Sequence, residues 1–296
     1  MKKIIVFPSS YFDRFKVDED LQTEYDAVVS TGLFDVVIFS YDKWFNEGKL
    51  LLTDMPESKI IGIYRGWMMK PEQYEDFYKE LLERNIQLIT TPEEYKQFHV
   101  FPNIYPYIEE DTAKMLIYSK EEYKQLNVLE LKKHFNRFMI KDFVKSVKGT
   151  AFPVFFDQNV TQEEFDKWME VFYQYRGDLF TGGICVKEYL DLKKYGETTN
   201  EFRVFYINHK VAAIYRNSNQ QEDTTEPPKE LINKYTNLKS PFYTIDYAEL
   251  EAGEWKIIEA GDGEVSGIPD KQDKEEFFAR LNQMFHKDAE FMEKSK

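Results

Sequence analysis

Short apolar runs of strand length alternate with helical patterns in the first third of the chain. The runs are KIIVF at 3–7, DVVIFS at 35–40, KIIGIYRGWM at 59–68 and IQLIT at 86–90. The stretch PEQYEDFYKELLERN opens with Pro71, which the first turn of a helix tolerates, and its apolar residues recur at helical spacing. The alternation predicts an α/β segment in which one helical face packs on a sheet.

Strand-like runs follow one another directly in the second half of the chain. They are FMIKDFV at 138–144, ICVKEYLDL at 184–192, EFRVFYI at 201–207, KVAAIYR at 210–216, FYTIDYAEL at 242–250 and WKIIEA at 255–260. Consecutive strands joined by short turns imply antiparallel pairing, which predicts an α+β fold for this part. A closing segment at 273–291 carries apolar residues on one helical stripe and is expected to pack back on the same lobe.

Two stretches between these patterns have the character of loops. FPNIYPYIEED at 101–111 contains two prolines and predicts a boundary between an α/β domain at 1–108 and a second domain at 109–296. The polar stretch at 217–230 is the most obvious long loop. A disordered segment and a lid or binding loop are both consistent with it.

The composition supports two folded lobes. The chain has 296 residues, of which 42% are hydrophobic and 17% aromatic, enough for buried cores. The formal net charge of −14 disfavours nucleic acid and anionic membranes as partners, although a local basic cleft can still hold a polyanion. Cys185 is the only cysteine, which excludes an internal disulfide, and no apolar run has the length of a secretory or transmembrane segment. We therefore expect a cytoplasmic protein.

The most informative pair of residues comes from the hairpin formed by FYTIDYAEL and WKIIEA. With a short turn between the strands, Leu250 faces Trp255, and counting back along both strands places Asp246 opposite Glu259. Like charges directly opposed destabilise a sheet, and a shared Mg2+ would compensate for their repulsion. The alternative is two exposed acids on a wet sheet face.

A second hairpin, EFRVFYINHKVAAIYR, carries the opposite charge. A two-residue turn at its centre places Glu201 opposite Arg216, with Arg203 on the same sheet face. Two guanidiniums on one face could clamp a triphosphate or an acidic substrate. The alternative is a surface ion pair of Glu201 with an arginine, which contributes little to stability.

One strand lysine is a further candidate phosphate ligand. In FMIKDFV, Phe138 and Ile140 take one face of the strand and Lys141 takes the other. Neither a P-loop motif nor a Rossmann glycine motif occurs in the sequence, which excludes those two modes of phosphate binding. The histidines are too scattered to suggest a metal cluster, and Cys185 is expected to be a buried structural thiol.

Taken in order, these segments resemble the ATP-grasp superfamily. Its members have a phosphate lysine, a hinge strand, an arginine hairpin and two late acidic metal ligands, and residues 137–269 follow that order. ICVKEYLDL is similar to the hinge that receives adenine, and EFRVFYINHKVAAIYRN is similar to the hairpin of the ribosomal-protein glutamate ligase branch. IIEAGDGEVSGIP resembles the final metal-ligand strand, and the chain as a whole resembles uncharacterised prokaryotic and phage ATP-grasp proteins. The resemblance implies two α+β lobes that clasp a nucleotide, preceded by an α/β pre-grasp domain.

The resemblance also implies a role for each matching residue. Lys141 would contact phosphate, and four hinge residues would line the adenine slot. These hinge residues are Lys187, Glu188, Tyr189 and Leu190. Arg203 and Arg216 would face phosphate or substrate as catalytic arginines, and Glu201 would join the cofactor-binding residues.

The metal ligands implied by the resemblance are Asp246 and Glu259, the same pair that strand counting opposes. Members of the family commonly have Asn two residues after the last Glu, but Gly261 stands here and Asp262 follows. Either Asp262 supplies the third ligand or the site binds the metal differently.

Arg65, at a strand end, is consistent both with a cleft ligand and with a structural arginine.

By this resemblance the protein is an enzyme, an ATP-dependent ligase that joins a carboxylate to an amine or a thiol through an acyl phosphate and forms ADP and phosphate. Its cofactors would be ATP and Mg2+. Its partners would be small-molecule or peptide carboxylates and amines, with a protein partner as a further expectation. An ATP-binding assembly factor or chaperone and an ATP-grasp kinase are the alternatives. The sequence leaves the substrates and the oligomeric state open.

Overall fold

The computed structural model describes residues 3–122, 126–147, 149–222 and 224–286. Three sheets of three or four strands and a small two-stranded sheet form its framework. Within these ranges, no helix combines the length and the apolar character that a membrane crossing requires.

A parallel sheet forms the N-terminal part of the chain. Its strands are β1 (Lys3–Pro8), β2 (Phe34–Phe39), β3 (Ile60–Tyr64) and β4 (Ile86–Leu88). They pair in parallel in the order β2-β1-β3-β4, and β1 is buried along its whole length, as the central strand of a two-faced parallel sheet should be. The predicted α/β segment is confirmed.

Four helices accompany this sheet. They are α1 (Gln22–Thr31), α2 (Tyr41–Glu47), α3 (Pro71–Glu83) and α4 (Pro92–His99). The predicted helix after Pro71 is confirmed, and its Tyr74, Phe77 and Leu81 are buried against the sheet. The spacing of three and four residues puts these side chains on one face.

The next helix, α5 (Phe101–Ile108), occupies the stretch that the sequence pattern predicts to be a loop, and that prediction is wrong. Pro102 lies in the first turn, where the missing N–H costs no helical hydrogen bond, whereas Pro106 lies inside the helix. Burial of Phe101 and Ile108 in the core offsets the cost of the second proline. The domain boundary at 108/109 stays a prediction, and α5 packs on the later antiparallel sheet rather than on the parallel one.

A three-stranded antiparallel sheet follows. Its strands are β5 (Met115–Tyr118), β6 (Phe138–Asp142) and β7 (Ile184–Glu188), in the order β5-β7-β6. Two helices complete this layer, α6 (Val128–His134) and α7 (Gln162–Arg176). Cys185 of β7 is buried, and burial raises the pKa of its thiol to about 12, which confirms a structural thiol.

A four-stranded antiparallel sheet forms the last part of the fold. A small hairpin of β8 (Lys194–Tyr195) and β9 (Thr198–Thr199) leads into it. Its strands are β10 (Glu201–Ile207), β11 (Lys210–Arg216), β12 (Phe242–Glu249) and β13 (Trp255–Asp262), in the order β11-β10-β12-β13. The predicted antiparallel pairing is confirmed for the consecutive pairs β10–β11 and β12–β13, whereas β12 pairs with β10 rather than with β11.

Helix α8 (Lys229–Lys234) lies between β11 and β12 in the sequence, and α9 (Lys274–His286) closes the described chain. Phe277 of α9 shares one core with Phe205 of β10, as predicted, and also with Phe7 of β1. The closing helix therefore joins the parallel sheet to the four-stranded sheet. The predicted continuation of this helix to residue 291 lies outside the described residues.

Candidate active site

Two carboxylates oppose each other in the hairpin of β12 and β13. Asp246 pairs directly with Glu259, as strand counting predicts. The register at the turn differs from the prediction, because Glu249 rather than Leu250 faces Trp255. A bulge beside Asp246 adds one residue to β13 and restores the predicted pairing of the two acids.

Arg203 of β10 holds the carboxylate of Asp246 in a two-pronged ion pair. Its Nε donates to Oδ1 at 2.9 Å and its Nη2 donates to Oδ2 at 2.8 Å. Its Nη1 donates to the carbonyl oxygen of Gly267 at 3.0 Å. Burial opposes the positive charge, but the adjacent carboxylate outweighs burial and raises the pKa of Arg203. The guanidinium therefore stays charged beside the two acids.

These three side chains line a cavity of about 210 Å³ between the three-stranded and the four-stranded sheet. The other lining residues bring amino, hydroxyl and aromatic groups to the cavity. Among the lining residues are Lys141, Lys145, Thr244, Ser266, Phe98 and His99. Charges of both signs therefore meet around one small volume, an arrangement that suits a polyanion bound together with a cation.

Two of the predicted cofactor-binding lysines flank one aromatic ring. The Nζ atoms of Lys141 and Lys187 lie 4.6 and 4.7 Å from the ring centroid of Phe101, within cation–π range. Lys187 also donates to the carbonyl oxygen of Ile258 at 2.8 Å, which ties the hinge strand β7 to β13. The sequence pattern did not single out Phe101, because its segment was predicted to be a loop.

The hinge residues Glu188, Tyr189 and Leu190 line a separate, open hollow that they share with the β12–β13 turn. The backbone N–H of Tyr189 donates to the carbonyl oxygen of Arg137 at 3.0 Å, and its ring lies 4.6 Å from that of Phe155. The guanidinium of Arg137 lies 5.2 Å from both ring centroids. These contacts fix the conformation of the predicted adenine slot.

Arg203 and Arg216 lie on opposite faces of the β10–β11 hairpin, so the prediction that they share a face is wrong. A bulge in the hairpin shifts the register by one residue, and Phe202 rather than Glu201 faces Arg216. The guanidinium of Arg216 lies over the ring of Phe202 at 4.4 Å. Because successive strand residues alternate between faces, Arg203 points to the cavity side and Arg216 points away from it.

Arg216 contacts the long polar stretch that follows it. It donates to Oδ1 of Asn200 at 3.3 Å and to the hydroxyl of Thr224. Glu201 accepts a hydrogen bond from the hydroxyl of Thr199. The catalytic role of Arg216 and the cofactor-binding role of Glu201 stay predictions, and these contacts hold the loop and the β8–β9 hairpin onto the sheet.

Asp262 lines the same cavity as Asp246 and Glu259, but it occupies the opposite face of β13. It pairs with Tyr243, so its side chain lies on the other sheet face, where it is fully buried. Its Oδ1 accepts a hydrogen bond from the backbone N–H of Glu264 at 2.9 Å, and no described residue bonds to its Oδ2. Burial raises the pKa of the side-chain carboxyl groups of Asp262 and Glu264. The described residues contain no group of three metal-ligating side chains, so the predicted three-ligand set is not assembled.

The remaining pair fits magnesium. Mg2+ is usually held by one or two carboxylates, with substrate phosphates and water as the other ligands. Asp246 and Glu259 supply two carboxylates from directly paired positions, and the hydroxyls of Thr244 and Ser266 line the same cavity. The chemistry of this donor set therefore suits a hard cation that a triphosphate shares with the protein.

His99 is a cavity residue that the sequence reasoning left without a role. Its ring stacks on that of Tyr95 at 4.8 Å, and Tyr95 stacks on Tyr74 at 3.9 Å. Burial, together with the nearby charge of Lys145, lowers the pKa of His99 to about 4, so the imidazole is neutral at pH 7. No spacing in the sequence connects His99 with the strand residues, because only the packing of α4 against β13 brings them together.

Arg65 is a buried structural residue. Its Nε and Nη2 each donate to the carboxylate of Glu24 at 2.8 Å. It also donates to the carbonyl oxygens of Gly263 and Ser266. These contacts support the structural alternative for Arg65 and attach the segment after β13 to the N-terminal part of the chain.

Just over half of the chain matches a known family. Residues 130–281 match the family described as ATP-grasp domain, R2K clade family 3. Comparison with the curated proteins finds no match.

Solved structures share the fold over nearly the whole chain. The D-alanine-D-alanine ligase from Coxiella burnetii has a TM-score of 0.64 at 10% identity, with 99% of this chain and 97% of that chain covered. The D-cycloserine synthetase DcsG has a TM-score of 0.63 at 9% identity, with coverages of 95% and 99%. The ATP-grasp ligase PsnB, complexed with minimal precursor, Mg and ADP, has a TM-score of 0.59 at 9% identity, with coverages of 95% and 98%. At these identities the likeness concerns the fold, and it confirms the expected ATP-grasp architecture.

Proposed function

The chain belongs to the ATP-grasp domain family, R2K clade family 3, and from this premise we propose that it is an ATP-dependent ligase that joins a carboxylate to an amine or a thiol. ATP and Mg2+ are its cofactors. The observation that carries the proposal is the cavity in which the opposed Asp246 and Glu259 meet Arg203 and Lys141. Phosphoryl transfer requires a bound metal ion and positive charge around the phosphate. The two carboxylates can hold the metal ion, and the two basic side chains can contact the phosphate.

The carboxylates Asp246 and Glu259 would hold the magnesium ion. When bound, the ion supplies positive charge that neutralises the phosphate oxygens. Asp262 also lines this cavity, from the opposite face of β13, and its role as a third ligand stays a prediction.

The adenine is proposed to bind along the hinge. Lys187 reaches from β7 toward β13, and Glu188, Tyr189 and Leu190 line the hollow beside it. The packing of Tyr189 against Phe155 supports this assignment, because the hinge is held in one conformation before a nucleotide arrives. The proposed domain division is the α/β part at 1–108 and the ATP-grasp part at 109–296.

The reaction is proposed to proceed in two steps. An oxygen of the substrate carboxylate attacks the γ-phosphorus, the bond to the β-phosphate oxygen breaks, and ADP leaves with an acyl phosphate remaining. The amine or thiol then attacks the acyl carbon, inorganic phosphate leaves, and the nucleophile releases a proton. Arg203 and Lys141 stabilise the charge on the transferring phosphoryl group by their position, with no protein nucleophile required.

The substrate is proposed to be a small-molecule or peptide carboxylate. Among proteins of the same fold, PsnB has been solved with its precursor peptide PsnA2 and AMPPNP, and another is a D-alanine-D-alanine ligase. Both peptides and free amino acids therefore belong in a test panel.

Trapping with hydroxylamine tests the proposal. Protein, MgATP and a panel of amino-acid and peptide carboxylates should yield a hydroxamate and ADP when the correct carboxylate is present. The Arg203→Ala protein should yield about 100-fold less, the usual effect of losing one preorganised transition-state ligand. Arg84→Ala is the matched control, since Arg84 forms a surface ion pair with Glu80.

Three outcomes would count against the ligase. AMP and pyrophosphate as products would exclude the acyl phosphate. A phosphate linked to a substrate hydroxyl would indicate a kinase. ATP turnover only in the presence of a protein partner would indicate an assembly factor.

A further inference from the structure

Both carboxylate oxygens of Asp246 are occupied by one guanidinium. Arg203 bonds Oδ1 through Nε and Oδ2 through Nη2, at 2.9 and 2.8 Å. Asp246 is 5% exposed, so water competes little for this ion pair. A cation that binds Asp246 must therefore share the carboxylate with a guanidinium whose charge repels it, or displace that guanidinium.

The guanidinium is also anchored from the other side. Its Nη1 donates to the carbonyl oxygen of Gly267 at 3.0 Å. The preceding residue, Ser266, is held through its hydroxyl by Thr244 at 2.7 Å and through its carbonyl oxygen by Arg65 at 2.9 Å. Arg203 therefore has a second hydrogen-bond partner, which lies next to a residue that is itself hydrogen-bonded.

Electrostatics sets the order of binding at such a site. Without nucleotide, the charge of Asp246 is already neutralised by the guanidinium of Arg203. The same guanidinium repels a divalent cation that approaches the carboxylate. A triphosphate changes this balance, because it offers the guanidinium new oxygen acceptors and adds negative charge around the cation. Arg203 lines this cavity of about 210 Å³, so a triphosphate bound in it would bring its oxygens next to the guanidinium.

We propose that Arg203 is an internal counter-ion that keeps the magnesium site closed to free metal and opens it when a nucleoside triphosphate arrives. The inference rests on the proposed function, since it concerns the same cavity. Arg203 thereby determines that the cation enters together with nucleotide. Arg203 then has two states: it pairs with Asp246 when no nucleotide is bound, and it contacts phosphate when a nucleotide is bound.

Binding of Mn2+, as a paramagnetic probe for Mg2+, tests the counter-ion directly. Free Mn2+ is measured by electron paramagnetic resonance during titration of the protein without nucleotide. Wild type should bind Mn2+ weakly, and Arg203→Gln should bind it at least about tenfold more tightly, because a fixed positive charge next to the site has been removed. Arg203→Lys, which keeps the charge but cannot bond both oxygens at once, should lie between them.

Two further variants assign the effect to this site. Arg203→Gln combined with Asp246→Asn should lose the gained Mn2+ binding. Arg84→Gln removes the same charge from a surface ion pair with Glu80 and should bind Mn2+ as wild type does. The proposal is overturned if Arg203→Gln binds no more tightly than wild type, or if the double variant retains the gain. Circular dichroism of each variant verifies that a negative result does not come from unfolding, and Arg203→Lys replaces Arg203→Gln if the latter does not fold.

A separate titration distinguishes this proposal from the proposed function. Calorimetry of wild type with MgATP tests nucleotide binding itself. Absence of saturable binding at millimolar MgATP would reject the ATP-dependent ligase. A normal MgATP affinity together with tight Mn2+ binding by nucleotide-free wild type would reject the counter-ion alone.

Discussion

At the scale of single residues, Asp246 and Glu259 should respond differently to removal of their charge. Asp246→Asn leaves the guanidinium of Arg203 without its ion partner in a largely buried position. We expect a loss of about 1–3 kcal/mol in the free energy of unfolding, below the ~3–5 kcal/mol of a fully buried pair, because the Arg203 side chain remains 24% exposed. Glu259→Gln should cost less, since it removes one of two opposed like charges.

Urea denaturation of the two variants without metal and nucleotide measures this difference. Both variants should also weaken Mg-dependent nucleotide binding in calorimetry, because each removes one proposed ligand. A larger loss of stability for Glu259→Gln than for Asp246→Asn would show that the ion pair with Arg203 contributes little.

At the scale of elements, the end of β12 holds the long loop through one buried carboxylate. Glu249 accepts hydrogen bonds from Lys193 at 2.7 Å, Asn200 at 2.8 Å, Tyr195 at 2.9 Å and Thr225 at 3.0 Å. Burial alone would raise the pKa of Glu249, but these donors lower it from 4.5 to about 2. The polar stretch at 217–230, for which the sequence was consistent with both disorder and a lid, is therefore attached to the sheet at Thr225.

The pH dependence of stability follows from that depressed pKa. The carboxylate of Glu249 stabilises the folded state above pH 4.5, and this contribution is lost as the pH falls from 4.5 toward 2. Glu249→Gln should cost about 2 kcal/mol at pH 7, the scale of hydrogen bonds to a charged group, and the difference from wild type should shrink over that acidic range. Denaturation of both proteins at several pH values measures it, and a difference independent of pH would contradict the assignment.

At the scale of the whole molecule, the buried Arg65 joins the N-terminal part of the chain to the segment after β13. Arg65 pairs with Glu24 and bonds the carbonyl oxygens of Gly263 and Ser266. Arg65→Met should cost about 3–5 kcal/mol, because it leaves the carboxylate of Glu24 buried and unpaired. Arg65→Met combined with Glu24→Met should recover part of the loss, since two apolar groups leave no unpaired charge.

Thermal and urea unfolding of the single and double variants form a double-mutant cycle. Arg84→Met is the control, since Arg84 pairs with Glu80 at the surface and such pairs contribute less than about 1 kcal/mol. Equal effects of Arg65→Met and Arg84→Met on the free energy of unfolding would show that the buried contacts of Arg65 contribute no more than a surface ion pair does.

The sequence by itself determined the parts of the fold that depend on local periodicity. Strand-like runs located β10 to β13, and short turns implied the antiparallel pairs β10–β11 and β12–β13. Strand counting also opposed Asp246 and Glu259, although the register at the turn was off by one and a bulge in β13 compensated for it. Local pattern is sufficient for these two hairpins, because a short turn makes consecutive strands neighbours in space, whereas β12 pairs with β10 rather than with β11.

Only the tertiary structure decided which side chains meet. The bulge in the β10–β11 hairpin sends Arg216 to the face opposite Arg203, because one extra residue reverses every later side chain. The buried position of Asp262 and the helix at α5 depend on packing against distant residues, which outweighs local preference. Likewise, Arg65 and Glu24 are 41 residues apart in the chain, and no local spacing encodes their contact. Bulges and packing between residues distant in the sequence determine these contacts. Which charged side chains pair is therefore decided only when the sheets pack together.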